Sequence, residues 1–187
     1  LIDDTNTVHL LYSGDLLHHL FYKNGQEFHQ IVQDDSTEME AWRATIDENM
    51  IFIALGSGSW DDHVDLFIYD GNLWSSYRDD FQYQYQVYTP IAVDSLGNVH
   101  IVGFGKNDGM PHMRIEPGFR ITESLLNTGR YVGYGVDMVM DANDVMHLAH
   151  SVFDYWGDKS YHLFYWRAAA NSSESKYWKL DDGEFMS

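Results

Sequence analysis

The sequence has no cysteine, which excludes disulfides and thiolate metal sites and leaves the redox compartment open. Proline is scarce, at 3 of 187 residues, and no apolar run approaches the roughly 18 residues of a membrane-spanning helix. Basic residues are few. The 11 Lys and Arg stand against 29 Asp and Glu, a formal net charge of −18, the wrong sign for nucleic acid or an anionic membrane surface. No initiating Met, basic n-region or signal-like core opens the chain, so it reads as a mature or internal piece of something longer. Also missing are a G-x-S-x-G elbow, an H-E-x-x-H pair, a P-loop and a dinucleotide fingerprint. What is plentiful is aromatic: 13 Tyr, 10 Phe and 6 Trp, within a 44% hydrophobic composition ordinary for a folded protein. The acidity reads most simply as a solubility feature, as in secreted or salt-adapted proteins.

An internal repeat organises the chain. Residues 1–14, 43–56, 91–105 and 138–150 share an apolar approach, an Asp, a short turn-forming stretch and an alternating apolar strand. The anchoring residues are Asp3, Asp47, Asp94 and Asp141, spaced 44, 47 and 47 residues apart. Two more strand types recur within each period, at 16–22, 63–69, 110–116 and 161–166, and at 27–33, 73–79, 119–125 and 177–182. No stretch sustains a helical apolar period. Four antiparallel strands per repeat of about 40–50 residues describe a propeller blade. The expected fold is therefore all-β, a single β-propeller domain or fragment over 1–187, with blades at about 1–40, 41–86, 87–133 and 134–187. Each anchoring Asp has a structural task, accepting backbone N–H groups in the turn between the first two strands.

The pattern IAVDSLGNVHIV (91–102), followed by a tyrosine-rich third strand and a Trp-containing fourth, resembles the BNR-like, sialidase-type propeller repeats. That resemblance implies a secreted glycan-active setting, including sialidases and propeller polysaccharide lyases. The sialidase Asp-box itself is absent, and no arginine triad can be placed. The next anchor would fall just after Ser187, and EFMS (184–187) resembles the start of an inner strand. Two readings follow: a closed four-bladed ring, or a slice of a larger one, and the slice is preferred. Its exposed blade edges would then need further chain segments or a second copy to complete the ring.

In such a fold the loops joining strands two and three share a face with the links between blades, where ligands bind. Two of these loops combine aromatic rings with acids: Trp60-Asp61-Asp62, followed by His63, and Asp154-Tyr155-Trp156-Gly157-Asp158. A ring that stacks on sugar C–H groups, beside a carboxylate that bonds hydroxyls, is what carbohydrate recognition needs. Trp60, Asp61, His63, Tyr155 and Trp156 are the candidate ligand residues, and the bland alternative is that both Trp pack under their own loops. Among ten histidines, His9, His100 and His147 share one second-strand position, and His19, His112 and His162 are read as sharing one third-strand position. Repetition marks these as consensus hydrogen-bonding residues. His150 breaks the pattern. With Arg130 and Tyr134 it can supply the base, carboxylate neutraliser and acid of a uronate lyase, and these three are the candidate catalytic residues. No cofactor is expected, although the acidic stretches 60–65 and 181–184 could catch a calcium ion. The expected function is extracellular carbohydrate binding or processing, as a polysaccharide lyase or glycoside hydrolase. The alternative is a non-catalytic lectin, adhesin or protein-interaction propeller.

Overall fold

The computed structural model describes residues 1–13, 17–23, 25–33, 41–56, 63–80, 89–103, 110–118, 120–126, 136–153, 161–169, 175–180 and 185–186. The described residues form four antiparallel sheets and no helix. Blade one contains β1 (His9–Ser13), β2 (Leu17–Lys23) and β3 (Gln26–Gln33). Blade two contains β4 (Ala41–Asp47), β5 (Met50–Gly56), β6 (His63–Tyr69) and β7 (Trp74–Asp80). Blade three contains β8 (Ile91–Val93), β9 (Val99–Val102), β10 (Met110–Glu116) and β11 (Arg120–Leu126). Blade four contains β12 (Val136–Met140), β13 (Val145–Phe153), β14 (Tyr161–Ala169), β15 (Ser175–Lys179) and β16 (Phe185–Met186).

Within each sheet the strands lie in chain order, so every connection is a hairpin step. The two outermost sheets depart from four strands. In blade one the inner strand is reduced to an Ile2–Val8 bridge, closed by the N-terminal ammonium on the His9 carbonyl at 2.9 Å. In blade four, Phe185 and Met186 pair with Trp178 and Tyr177 as a fifth strand of the same sheet. The expectation that EFMS begins a further inner strand is corrected by that pairing.

Period-two alternation decides which side chains each blade buries. In β14 the even-numbered His162, Phe164, Trp166 and Ala168 are buried, while Tyr161, Leu163 and Arg167 are exposed. Blade two, which has a neighbour on each side, is buried on both faces. Ile51, Ile53 and Leu55 of β5 join Leu17 and Phe21 of blade one, whereas Phe52 and Ala54 join Ile91, Val99 and Ile101 of blade three. A third cluster joins Val102 and Met110 of blade three to Met138, Leu148 and Trp166 of blade four. Three apolar clusters thus hold four sheets in a row, and the inner strands β4, β8 and β12 stand side by side.

Trp166 is 1% exposed, and its indole Nε1 has no hydrogen-bond partner among the described residues. Trp166→Ala is expected to cost about 3–5 kcal/mol in chemical denaturation, as for other buried aromatics. Trp166→Phe removes the unsatisfied N–H along with part of the ring, and should cost less than half as much. Equal losses in the two variants would contradict this packing.

Candidate functional site

The turn between the first two strands is built alike in blades one, three and four. Asp3 Oδ1 accepts the backbone N–H groups of Thr5 and Thr7 at 2.9 and 2.7 Å. Asp94 Oδ1 accepts those of Leu96 and Asn98 at 3.0 and 2.8 Å, and Asp141 Oδ1 those of Asn143 and Val145 at 2.8 and 3.0 Å. The third residue after each Asp has positive φ: Asn6 at 59°, Gly97 at 75° and Asp144 at 57°. Asn, Gly and Asp are the residues that tolerate this conformation best. These are the expected aspartate-closed turns. Blade two differs, pairing Asp47 directly with Met50 across a two-residue turn.

The second carboxylate oxygen of each turn reaches into the blade. Asp3 Oδ2 lies 3.1 Å from His9 Nε2, and His9 Nδ1 lies 2.9 Å from His19 Nε2. In blade three, Asp94 Oδ2 is 3.2 Å from His100 Nε2, and His100 Nδ1 is 2.9 Å from His112 Nε2. In blade four, Asp141 Oδ2 is 3.2 Å from His147 Nε2, whose Nδ1 meets the Tyr165 hydroxyl. A carboxylate only accepts, so Nε2–H of the first imidazole must donate to it. Its Nδ1 is then a lone pair, which fixes Nε2–H of the second imidazole as donor. The second Nδ1 is in turn an acceptor, met by the Trp74 indole N–H at 3.3 Å in blade one and by the Ser124 hydroxyl at 3.3 Å in blade three. Each chain runs one way, towards the carboxylate, with one proton per ring.

The electrostatics follow from this arrangement. Burial, and then the neighbouring His9, lower His19 to about 4. Burial, followed by His100 and Arg114, lowers His112 to about 3. Burial also lowers His100, against the pull of Asp94. For Asp3, burial acts upward but is outweighed by hydrogen bonds from Thr5, Thr7 and His9, and its carboxyl falls to about 2.

Strand register corrects one sequence expectation. His19 lies opposite Leu11 and His112 opposite Val102, on the face that carries the Asp–His chain. In blade four that place belongs to Tyr165, opposite Ala149, while His162 lies opposite Val152 on the other face. Blade two replaces the pair with Phe52 and Leu66, both buried in the core against blade three.

Beside the Asp3 turn a cleft of about 250 Å³ opens between blades one and two. Its wall comprises Asp3, Thr5, Thr7 and His9 from one blade, with Asn49, Tyr69 and Asp70 to Asn72 from the next, and Phe21 and Lys23 complete it. Asp3 is already engaged by its turn and by His9, and Asp70 Oδ1 by the N–H groups of Asn72 and Leu73, so Lys23, Asn49, Asn72 and the second Asp70 oxygen are the polar groups at the exposed mouth. This cleft was missed in the sequence because its residues come from three turns, far apart along the chain. The polar residues of those turns were its only signal.

Of the sequence-nominated site residues, Trp60, Asp61, Arg130, Tyr134, Tyr155 and Trp156 lie outside the described residues. His63 begins β6, and its side chain lies outside them too. His150 is 1% exposed on β13, stacked on Phe164 with ring centroids 5.5 Å apart, and burial lowers it to about 4. The strand ends at Gly56, His63, Leu126, Val136, Phe153 and Tyr161 belong to the rim opposite the aspartate turns. Among the described residues no group of His, Asp and Glu is arranged to hold a metal ion, and no helix is long and apolar enough to cross a membrane.

No family model matches the chain, and no curated protein matches its sequence. Solved structures do match. A fucose lectin from Kordia zhangzhouensis, in complex with methyl-fucoside, aligns with a TM-score of 0.50 at 14% identity, over 77% of this chain and 100% of that one. A bifunctional GH43-CE protein of Bacteroides eggerthii aligns with a TM-score of 0.51 at 11% identity, over 91% of this chain. The alignment covers 27% of that longer protein. Both neighbours are propellers. This chain is a β-propeller array. At these identities the likeness concerns the fold alone.

The lowered histidines make stability depend on pH. His19, His112 and His150 bind protons at about 4, 3 and 4 in the folded chain but near 6.5 when unfolded. Unfolding therefore takes up protons, and stability falls as pH drops below about 6.5, by up to about 1.4 kcal/mol per pH unit for each such histidine. Asp3, at about 2 against 3.8 unfolded, adds a further loss below about pH 4. Thermal melts from pH 7.5 to 4.5 should show this slope. The double variant His100→Phe/His112→Leu, copying blade two, should fold and lose part of it. A flat wild-type profile would contradict the buried neutral chains.

Proposed function

We propose that the chain is a secreted carbohydrate-recognising propeller. The observation that carries this reading is the cleft between blades one and two. Lys23, Asn49, Asp70 and Asn72 surround its mouth with ammonium, amide and carboxylate groups, and the rings of Phe21 and Tyr69 form part of its wall. Polar side chains around a mouth of this size match the hydroxyl groups of a sugar, with the buried Phe21 and Tyr69 backing the wall. A volume of about 250 Å³ suits one small polar ring rather than an extended apolar ligand. The resemblance of the repeats to BNR-like ones supports the same reading, as does a fold neighbour solved with methyl-fucoside.

A processing role rests on the residues nominated from the sequence, of which Trp60, Asp61, Arg130, Tyr134, Tyr155 and Trp156 lie outside the described residues and His63 opens β6. In the lyase version His150 removes the proton beside a uronate carboxylate, Arg130 neutralises that carboxylate, and Tyr134 protonates the leaving oxygen. His150 at about 4 is unprotonated at neutral pH, as a base must be, though such a low proton affinity makes it a weak one.

Calorimetric titration with a panel of monosaccharides and acidic oligosaccharides tests both versions. Binding is expected, and Asn72→Ala or Lys23→Ala should weaken it about tenfold, the loss of one good polar contact. Formation of unsaturated, ultraviolet-absorbing product that disappears in His150→Ala would favour the lyase version. Absence of binding and of turnover across the panel would overturn the proposal.

A further inference from the structure

The cleft between blades one and two has a charge as well as a shape. Two carboxylates, Asp3 and Asp70, stand in its wall against one ammonium, that of Lys23. Hydrogen bonds hold both carboxylates in the ionised form. Asp3 is engaged by Thr5, Thr7 and His9, and Asp70 Oδ1 accepts the backbone N–H groups of Asn72 and Leu73, each at 2.9 Å. The N–H groups of Leu73 and Asn72 keep the Asp70 carboxyl below the usual carboxylate range, so neither acid takes a proton near neutral pH.

The turns beside the cleft add to this charge. Asp4 donates its backbone N–H to the Glu48 carbonyl at 3.3 Å, which joins the blade-one turn to the blade-two turn that carries Asn49. The residues Asp4 and Glu48 are both exposed. Two groups register the resulting field. The Asp47 carboxyl is raised by burial and then by Glu48, Asp4 and Asp94. The Tyr69 phenol, in the cleft wall, is raised by burial and then by Asp70 and Asp3. The mouth therefore has a negative potential, and its uncharged polar groups are the amides of Asn49 and Asn72.

An anionic sugar entering here meets carboxylates that stay ionised, and one lysine does not offset them. A sugar bearing an ammonium group meets the opposite. Asp70 is exposed, and its Oδ2, with no partner among the described residues, can accept a charge-assisted hydrogen bond from that group. On the carbohydrate reading of this cleft, on which the inference rests, we propose that the cleft selects its sugar by charge. An amino sugar with a free ammonium group is taken ahead of a neutral sugar, and a uronic acid is turned away. Asp70 sets this order.

Methyl glycosides of one hexose in amino, neutral and uronate form, titrated calorimetrically into the 187-residue chain near pH 6, test it in the gluco, galacto and manno series. Affinity is expected to rise about fivefold with each unit of positive charge at low salt, and the spread to shrink at about 0.5 M salt. Asp70→Asn keeps an oxygen to cap its turn, and circular dichroism checks that it remains folded. This variant should lose most of the preference for the amino sugar and change the neutral sugar's affinity by about twofold or less. Equal affinity for the three forms, or the reverse order, overturns the inference and leaves carbohydrate binding itself standing. So does a charge order that Asp70→Asn leaves unchanged. Failure of every series to bind overturns both.

Discussion

A carboxylate that closes a hairpin turn with one oxygen and accepts an imidazole N–H with the other ties the backbone of blades one, three and four to their interiors. In blades one and three the imidazole passes its own lone pair to a second imidazole, buried against the next sheet or close to it. In blade one the direction is fixed from both ends, because the carboxylate can only accept and the Trp74 indole can only donate. Every later donor is then determined, down to Trp74, which belongs to the neighbouring blade. The same chain that shapes a turn therefore reaches across a blade interface. Burial without a second proton is the condition under which this works, and it explains why His19, His100 and His112 lose proton affinity.

The apolar clusters and the polar chains divide the work. Leu, Ile, Val and Met fill the space between sheets, which is non-directional and permits sliding. The directed hydrogen bonds fix register, because a one-residue slip would turn each histidine to the wrong face. Turn-to-turn contacts at the same rim add to this. Ser95 of blade three donates through its N–H and hydroxyl to Asp144 of blade four at 2.7 and 2.6 Å. In blade two, Phe52 and Leu66 replace the chain by packing alone, at a place where blade three buries them. The rim that carries the aspartate turns is thus rigidly built, and the cleft beside Asp3 inherits that rigidity. A preformed polar cleft loses little entropy when a small ligand enters it.

The strands and aspartate turns were legible because both obey short-range rules. Alternation marked every third and fourth strand to within a few residues, and the residue three after Asp3, Asp94 and Asp141 was Asn, Gly or Asp, as its positive φ requires. The pairing of His9 with His19 and of His100 with His112 was also readable from their repeat positions. His162 was misassigned because its place was judged by type, whereas register is set by which residues oppose each other. A tyrosine hydroxyl supplies the same donor, so Tyr165 carries no histidine signal at all. Strand Phe185–Met186 was misread for a related reason: an apolar pair after a turn looks alike whether it starts a new sheet or extends the old one. The inter-blade cleft was illegible, since no local pattern states that Lys23 and Asn72 line one wall. The nominated loops around Trp60 and Trp156 lie outside the described residues.

Nitrogen chemical shifts of the histidine side chains, recorded near pH 6, test the directed chain most directly. His19, His100 and His112 are predicted to appear as neutral rings with the proton on Nε2 and Nδ1 acting as acceptor. A doubly protonated ring at any of these three positions, or a proton on Nδ1 of His100, would contradict the account.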